Sequence, residues 1–149
     1  MTSPSSPPLR LLAQDEEDLR VISAALQDAV GKVGDIVWEK APRRLTVVFN
    51  RYRWENGERS RQRVRSALQL GGVLGVKARR IRREAKRAVI DLLALRFEPG
   101  EAPGGCIVFE FAGDADLRVE VECIDAVLAD VSEAWSAKSA PSHQEGPAG

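Results

Sequence analysis

Through the middle of this chain the apolar residues recur at every second position, and that period constrains the fold more than any other feature. The runs are "DIVWEK", "RLTVVFNRYRW", "RVRSALQLGGVLGVKA", "CIVFEF" and "LRVEVEC". A period of two sends successive side chains to opposite sides of a pleated strand, so each run has one apolar face and one wet face. Such strands must pair and lay their apolar faces on a shared core.

Within "RLTVVFNRYRW", Leu45, Val47, Phe49, Arg51 and Arg53 share one face, and Thr46, Val48, Asn50, Tyr52 and Trp54 the other. The apolar side changes along the strand, which predicts a bulge near Asn50, because one extra residue flips every later side chain. A hairpin around Ala41 to Arg44 joins this strand to "DIVWEK". In the next run Val64, Leu68, Leu70, Leu74 and Val76 all fall on the even face, and Gly71-Gly72 is either a bend in one strand or a hairpin turn. "AVIDLLALRFEP" is apolar on both sides and reads as a central strand. "CIVFEF" and "LRVEVEC" flank "AGDAD" as a hairpin, with Phe111 expected opposite Leu117, Phe109 opposite Val119 and Ile107 opposite Val121. That register points Cys106 and Cys123 to opposite faces, so they do not bond to each other.

Helical period appears only at the two ends. "LRLLA" reads as an edge strand, and after it Asp15 can cap a helix with Asp18 reaching back three residues later. Leu19, Ile22, Leu26, Val30 and Val33 form its stripe, and Gly31 and Gly34 mark its end. "IDAVLADVSEAW" places Ile124, Val127, Leu128, Val131 and Trp135 on one face of a second helix. The expected fold class is therefore α+β. It is a curved, mostly antiparallel sheet or small open barrel of six to seven strands, with one N-terminal and one C-terminal amphipathic helix, pleckstrin-homology-like by analogy. Trp38, Trp54 and Trp135 are expected in the core.

The 149 residues make one domain, residues 9–135, between ends expected to be disordered at 1–8 and 136–149, both rich in Ser and Pro. The longest uncharged apolar stretch, Ser66 to Val76, is too short to span a membrane as a helix. "MTSPSSPP" lacks the basic and apolar regions of a secretory signal, and two cysteines suit a reducing compartment, so the protein is expected in the cytoplasm. The single histidine, His143, lies in the polar tail, which argues against histidine-dependent catalysis and against a histidine zinc site. No cofactor and no metal are expected, and the chain is read as more a binding protein than an enzyme.

Charge is the remaining signal. The chain has zero formal net charge, yet Arg43 to Arg87 holds fifteen basic and three acidic residues, and Glu98 to Glu133 ten acidic and one basic. Arginine forks suit anions, which makes Arg51, Arg53, Arg63 and Arg65, with Arg79, Arg80, Arg82 and Arg83 of the run "KARRIRREAKR", candidates for binding a partner or ligand. The competing account is that the two halves neutralise each other across the sheet, Arg51, Arg53, Arg63 and Arg65 against Glu110, Glu120 and Glu122. "GGVLG" lacks the Gly-Lys-Ser/Thr ending of a phosphate loop and reads as a bend. "DEED" is explained by helix capping. Asp91 differs, because a carboxylate inside an apolar strand is costly unless paired, so it is the candidate for a perturbed carboxylate.

The strings "LRLLAQDEEDLRVISAALQDAV", "VGDIVW", "NRYRWE", "RSAL", "LLALRFEPGE" and "VECIDAVLADV", in that order, resemble an alphaproteobacterial family of uncharacterised proteins known as domain of unknown function 2948. The resemblance implies a bacterial, single-domain protein. It implies no activity, cofactor or catalytic residue. The resulting expectation is a non-enzymatic module for a protein partner or anionic ligand, with a nucleic-acid-associated protein using residues 51–87 as the alternative.

Overall fold

The computed structural model describes residues 8–55, 58–132 and 135–136, so nearly all of the two expected disordered ends, together with His143 and the side chain of Trp135, lies outside the described residues. The elements run β1 (Arg10–Ala13), α1 (Glu16–Ala25), β2 (Val30–Glu39), β3 (Arg44–Glu55), β4 (Glu58–Leu70), β5 (Val73–Arg79), β6 (Val89–Pro99), β7 (Gly105–Phe111), β8 (Ala115–Val121), β9 (Ala126–Asp130) and β10 (Trp135–Ser136). Nine strands form one path in the order β1-β9-β4-β3-β2-β6-β7-β8-β5, and β10 pairs with β4. All the pairings are antiparallel.

This corrects the expected α+β fold of six to seven strands and two amphipathic helices, and the pleckstrin-homology analogy with it: the described residues form a mostly antiparallel sheet with one short helix. The error lies in the last apolar run. "IDAVLAD" fits a period of two as well as a helical one, and tertiary pairing decides between them. As β9, this run puts Ala126 and Leu128 in the core, with Ile124 buried just before it, and fills the space between β1 and β4.

The one helix is set by its first turn. Asp15 accepts a hydrogen bond from Asp18 N at 2.7 Å, and Asp18 Oδ2 accepts one from Gln14 N at 3.1 Å. Leu19, Ile22 and Leu26 are buried as the stripe requires, but the helix ends at Ala25, and Val30 and Val33 belong to β2 instead. The outlying part of the stripe was the start of a strand.

β2 links the two halves of the sheet. Its first residues, Val30–Lys32, pair with Val89–Asp91 of β6, and along its length it pairs with β3, with the register shifting between Gly31 and Ile36. Gly31 lies so close to β3 that a Cβ there would sit 2.9 Å from Val48 O. The two halves share one core: Leu45, Val47, Phe49, Leu68 and Leu128 from one side, Leu92, Ile107, Phe109, Leu117 and Val119 from the other, under α1.

Two further expectations change. No extra residue falls near Asn50 on β3: the register with β4 shifts between Tyr52 and Trp54, where the additional residues are on β4, so Leu45, Val47, Phe49 and Arg51 all stay on the inner face. The β7–β8 hairpin is displaced by two residues, with Phe111 opposite Ala115, Phe109 opposite Leu117 and Ile107 opposite Val119. A two-residue slip preserves which face each side chain takes, so the apolar pattern could not detect it. Cys106 and Cys123 are both free thiols.

Gly71-Gly72 neither bends one strand nor closes a hairpin. It carries the chain from β4, beside β3 and β9, to β5, beside β8. Gly72 has φ +63°, a left-handed conformation that glycine adopts without strain. Among the described residues no helix is long and apolar enough to cross a membrane.

Candidate functional site

The pairing of β5 with β8 decides what becomes of the basic segment. It sets Arg79 opposite Asp116. Arg79 donates to Asp116 Oδ2 at 2.9 Å and to Asp114 Oδ1 at 3.2 Å, and Arg80 lies 3.6 Å from Asp114 Oδ2. The hydrogen bond from Arg79 foremost, and then the charges of Arg79 and Arg80, hold the Asp114 carboxyl below its ordinary range. Arg43 reaches Glu122 at 3.1 Å. Basic and acidic strips meet across strands through Arg43, Arg79 and Arg80, and not through the expected facing of Arg51, Arg53, Arg63 and Arg65 to Glu110, Glu120 and Glu122. The reason is that β3 and β4 lie beside β9 and β2 rather than beside β7 and β8: Arg51 and Arg65 reach Asp130 and Asp35, and Glu110 binds Arg96.

Arg51 has a different role. Its Nη2 donates to both oxygens of Asp130 at 2.9 Å, its Nε to Ser66 Oγ at 3.0 Å, and its Nη1 to Tyr52 O at 3.2 Å. The two side chains are only 5% and 7% exposed, so this is a buried pair inside the fold, beyond the reach of a ligand. Ser66 Oγ and Leu9 N also donate to the Asp130 carboxylate, at 2.7 and 2.8 Å.

The other candidates on β3 and β4 lie at the surface. Arg53 donates to Gln62 Oε1 at 2.9 Å, and Arg63 lies over the Tyr52 ring, 4.3 Å from its centre. Arg65 stands 3.9 Å from Asp35. Trp38 and Trp54, both expected in the core, are half-buried.

A cluster of uncompensated charge, among the described residues, lies on the connection from β5 to β6, residues 80–88. Arg82 pairs with Glu84 at 3.3 Å. Arg83, Lys86 and Arg87 are exposed and make no ion pair among the described residues, and exposed Lys32 stands beside them on β2. The loop is fixed in place: Val33 N and Gly34 N donate to Ala88 O and Lys86 O, each at 2.9 Å, and Ala85 and Ala88 N–H groups close turns within it. Cations on a braced backbone face a partner without the ordering cost of a free loop.

The carboxylates divide. Glu98 accepts from Arg96 and from Arg118, and those bonds hold it charged, below its ordinary range; Arg96 also binds Glu110 at 2.8 Å. Asp91 is half-buried, and its Oδ1 has no hydrogen-bond partner among the described residues. Among those residues no three His, Cys, Asp or Glu side chains group to hold a metal.

A groove of about 470 Å³ lies between the β2–β3 turn and β5, lined by Trp38, Lys40, Arg43, Val73, Leu74, Gly75 and Val76. Residues 1–149 contain this groove, the braced basic loop and the buried Arg51 pair in a chain whose residues 9–143 match a family model described as "Protein of unknown function (DUF2948)". The chain belongs to that family. Neither the curated proteins nor the solved structures include a match to it. Membership carries no chemistry with it, so function rests on the geometry of this DUF2948 domain alone.

Sequence reasoning singled out Arg83 but missed Lys32, Lys86 and Arg87 as its neighbours, and missed the groove altogether. Lys86 and Arg87 were in plain view in "KARRIRREAKR", and only the pairing partners of Arg79 and Arg80 separate the two ends of that run. Leu74 was assigned to the buried even face. A register shift between Val73 and Gly75 reverses the parity, burying Val73 and leaving Leu74 50% exposed.

Proposed function

We propose that this protein is a non-enzymatic binding module that docks an anionic partner or ligand on the basic loop between β5 and β6. One observation carries this: Arg83, Lys86 and Arg87 are exposed without carboxylate partners among the described residues, on a loop hydrogen-bonded to β2, while Arg79 and Arg80 at the start of the same basic run are paired with Asp114 and Asp116. Clustered cations at one place in an otherwise balanced molecule focus attraction there. The family resemblance and the two free thiols support a bacterial cytoplasmic setting.

Nucleic acid is the second reading, favoured by Arg53 and Arg63 lying on the hairpin that carries Tyr52 and Trp54. Salt separates the two. Binding to duplex DNA that neutralises several phosphates weakens with a log–log slope of about −0.9 per phosphate. Fluorescence anisotropy with a labelled DNA duplex and with labelled polyglutamate, each at two salt concentrations, tests both. Binding of polyglutamate that is lost in the Arg83→Glu, Lys86→Glu, Arg87→Glu variant supports the leading reading. Preference for the duplex with a steep salt slope moves the function to nucleic acid, and no binding of either probe at low salt removes both.

A further inference from the structure

A second surface is carried by the groove, independently of the basic loop. Among the described residues β5 ends the strand order and pairs only with β8, which leaves its other side as an open edge of that set. Four successive β5 residues, Val73 to Val76, line the groove. β5 carries one extra residue against β8 between Val73 and Gly75, so Leu74 and Gly75 both lie off the core face while Val73 and Val76 turn toward it, and a cleft touching all four runs past the side of the strand that faces the β2–β3 turn. At its closed end Val73 N donates to Arg43 O at 2.9 Å; past that bond, among the described residues, no backbone hydrogen bond joins β5 to the β2–β3 turn.

Edges of sheets are commonly blunted by charge. On β5 charge is confined to the far half, Lys77 and Arg79; Val73-Leu74-Gly75-Val76 has none, and its extra residue against β8 bends the edge locally without closing the groove. Trp38 and Val76 rest on the core and give the groove an apolar floor, and Leu74 projects beside it. Lys40 and Arg43 stand on its rim, Arg43 shared with Glu122.

We propose that the open edge of β5 takes an extended segment of a partner protein as an added antiparallel or parallel strand, a segment alternating apolar residues with at least one Asp or Glu. Backbone pairing supplies affinity in this mode and the side-chain pockets supply selectivity. The apolar positions meet Trp38 and Leu74, and the acidic position meets Lys40. A second copy of this chain fits worse, because edge-to-edge pairing brings Lys40, Lys77 and Arg43 of both copies together.

The test is selection of a random twelve-residue peptide library displayed on phage against the full chain, followed by anisotropy with the synthetic peptides. The expected winners alternate apolar and acidic residues. Leu74→Lys and Lys40→Glu, both at exposed positions, each weaken them about tenfold or more, as loss of a contact worth over 1 kcal/mol requires. N-methylation at alternate peptide residues on the pairing side abolishes binding, and the Arg83→Glu, Lys86→Glu, Arg87→Glu variant leaves it unchanged, which separates this surface from the loop. No enrichment overturns the proposal, as does binding indifferent to Leu74→Lys and to N-methylation. A dimer in sedimentation that Leu74→Lys dissociates overturns it in favour of a second copy.

Discussion

Arg51 of β3 and Asp130 of β9 meet through a two-pronged contact, Nη2 at 2.9 Å from both carboxylate oxygens, in a setting that leaves each side chain almost without solvent. The pair ties the C-terminal end of β9 to the centre of the sheet, and through Leu9 N it ties in the chain just before β1 as well. Removing one member strands the other's charge. Asp130→Asn is therefore expected to destabilise the fold by about 3–5 kcal/mol, whereas replacing both, Arg51→Met with Asp130→Leu, costs much less because no charge is left unpaired. Urea denaturation of the single and double variants checks this; equal losses in both contradict it.

Glu98 predicts an acid-side dependence. Hydrogen bonds from Arg96, and then from Arg118, lower its pKa in the folded protein. A lowered folded pKa gives stability that is present above the unfolded value, about 4.3, and lost as pH falls through the folded one. NMR titration is expected to place the Glu98 midpoint below that of an unfolded peptide. In Arg96→Gln, which removes the largest cause, the midpoint moves up. A midpoint that does not move would show that the Arg96–Glu98 hydrogen bond is not formed in solution.

Cys106 predicts a slow thiol. Burial pushes its pKa up, so less thiolate is present at a given pH. Because the thiolate is the nucleophile, modification of Cys106 by a thiol reagent at pH 8 is expected to be slower than that of an unstructured cysteine. Mass spectrometry of the timed reaction reads it peptide by peptide, and faster modification at Cys106 contradicts it.

Phe109 tests the core shared by the two halves. It is fully buried on β7 and 6.2 Å from the ring of Phe111. Phe109→Ala is expected to cost about 3–5 kcal/mol in a denaturant titration. A loss below about 1 kcal/mol, within the range of surface substitutions, means the halves are not packed on one another.

Most of the strands were legible because a period of two is read directly from alternation, and α1 because Asp15 and Asp18 mark its start. What the alternation left undetermined was partnership. "IDAVLAD" satisfies either period over so short a length, and only the edge of β4 and the charge of Arg51 make it a strand. The hairpin register slipped by two because a slip of two changes no face. Leu74 changed face, and the irregularity expected at Asn50 fell instead on β4 opposite Tyr52 and Trp54, because a register shift is set by both partner strands, here β5 with β8 and β3 with β4. The basic segment was visible as charge, yet its division into neutralised and exposed parts followed from β5 lying beside β8. Arg51 looks like any other arginine on its strand until Asp130 is placed next to it.

The central claim is that the exposed cations of the loop between β5 and β6 receive an anionic partner, and amide NMR of the labelled protein titrated with polyglutamate tests it most directly. The account predicts shift changes concentrated at Lys32 and at residues 82–88, vanishing in the Arg83→Glu, Lys86→Glu, Arg87→Glu variant. Changes centred elsewhere, or none at low salt, would contradict it.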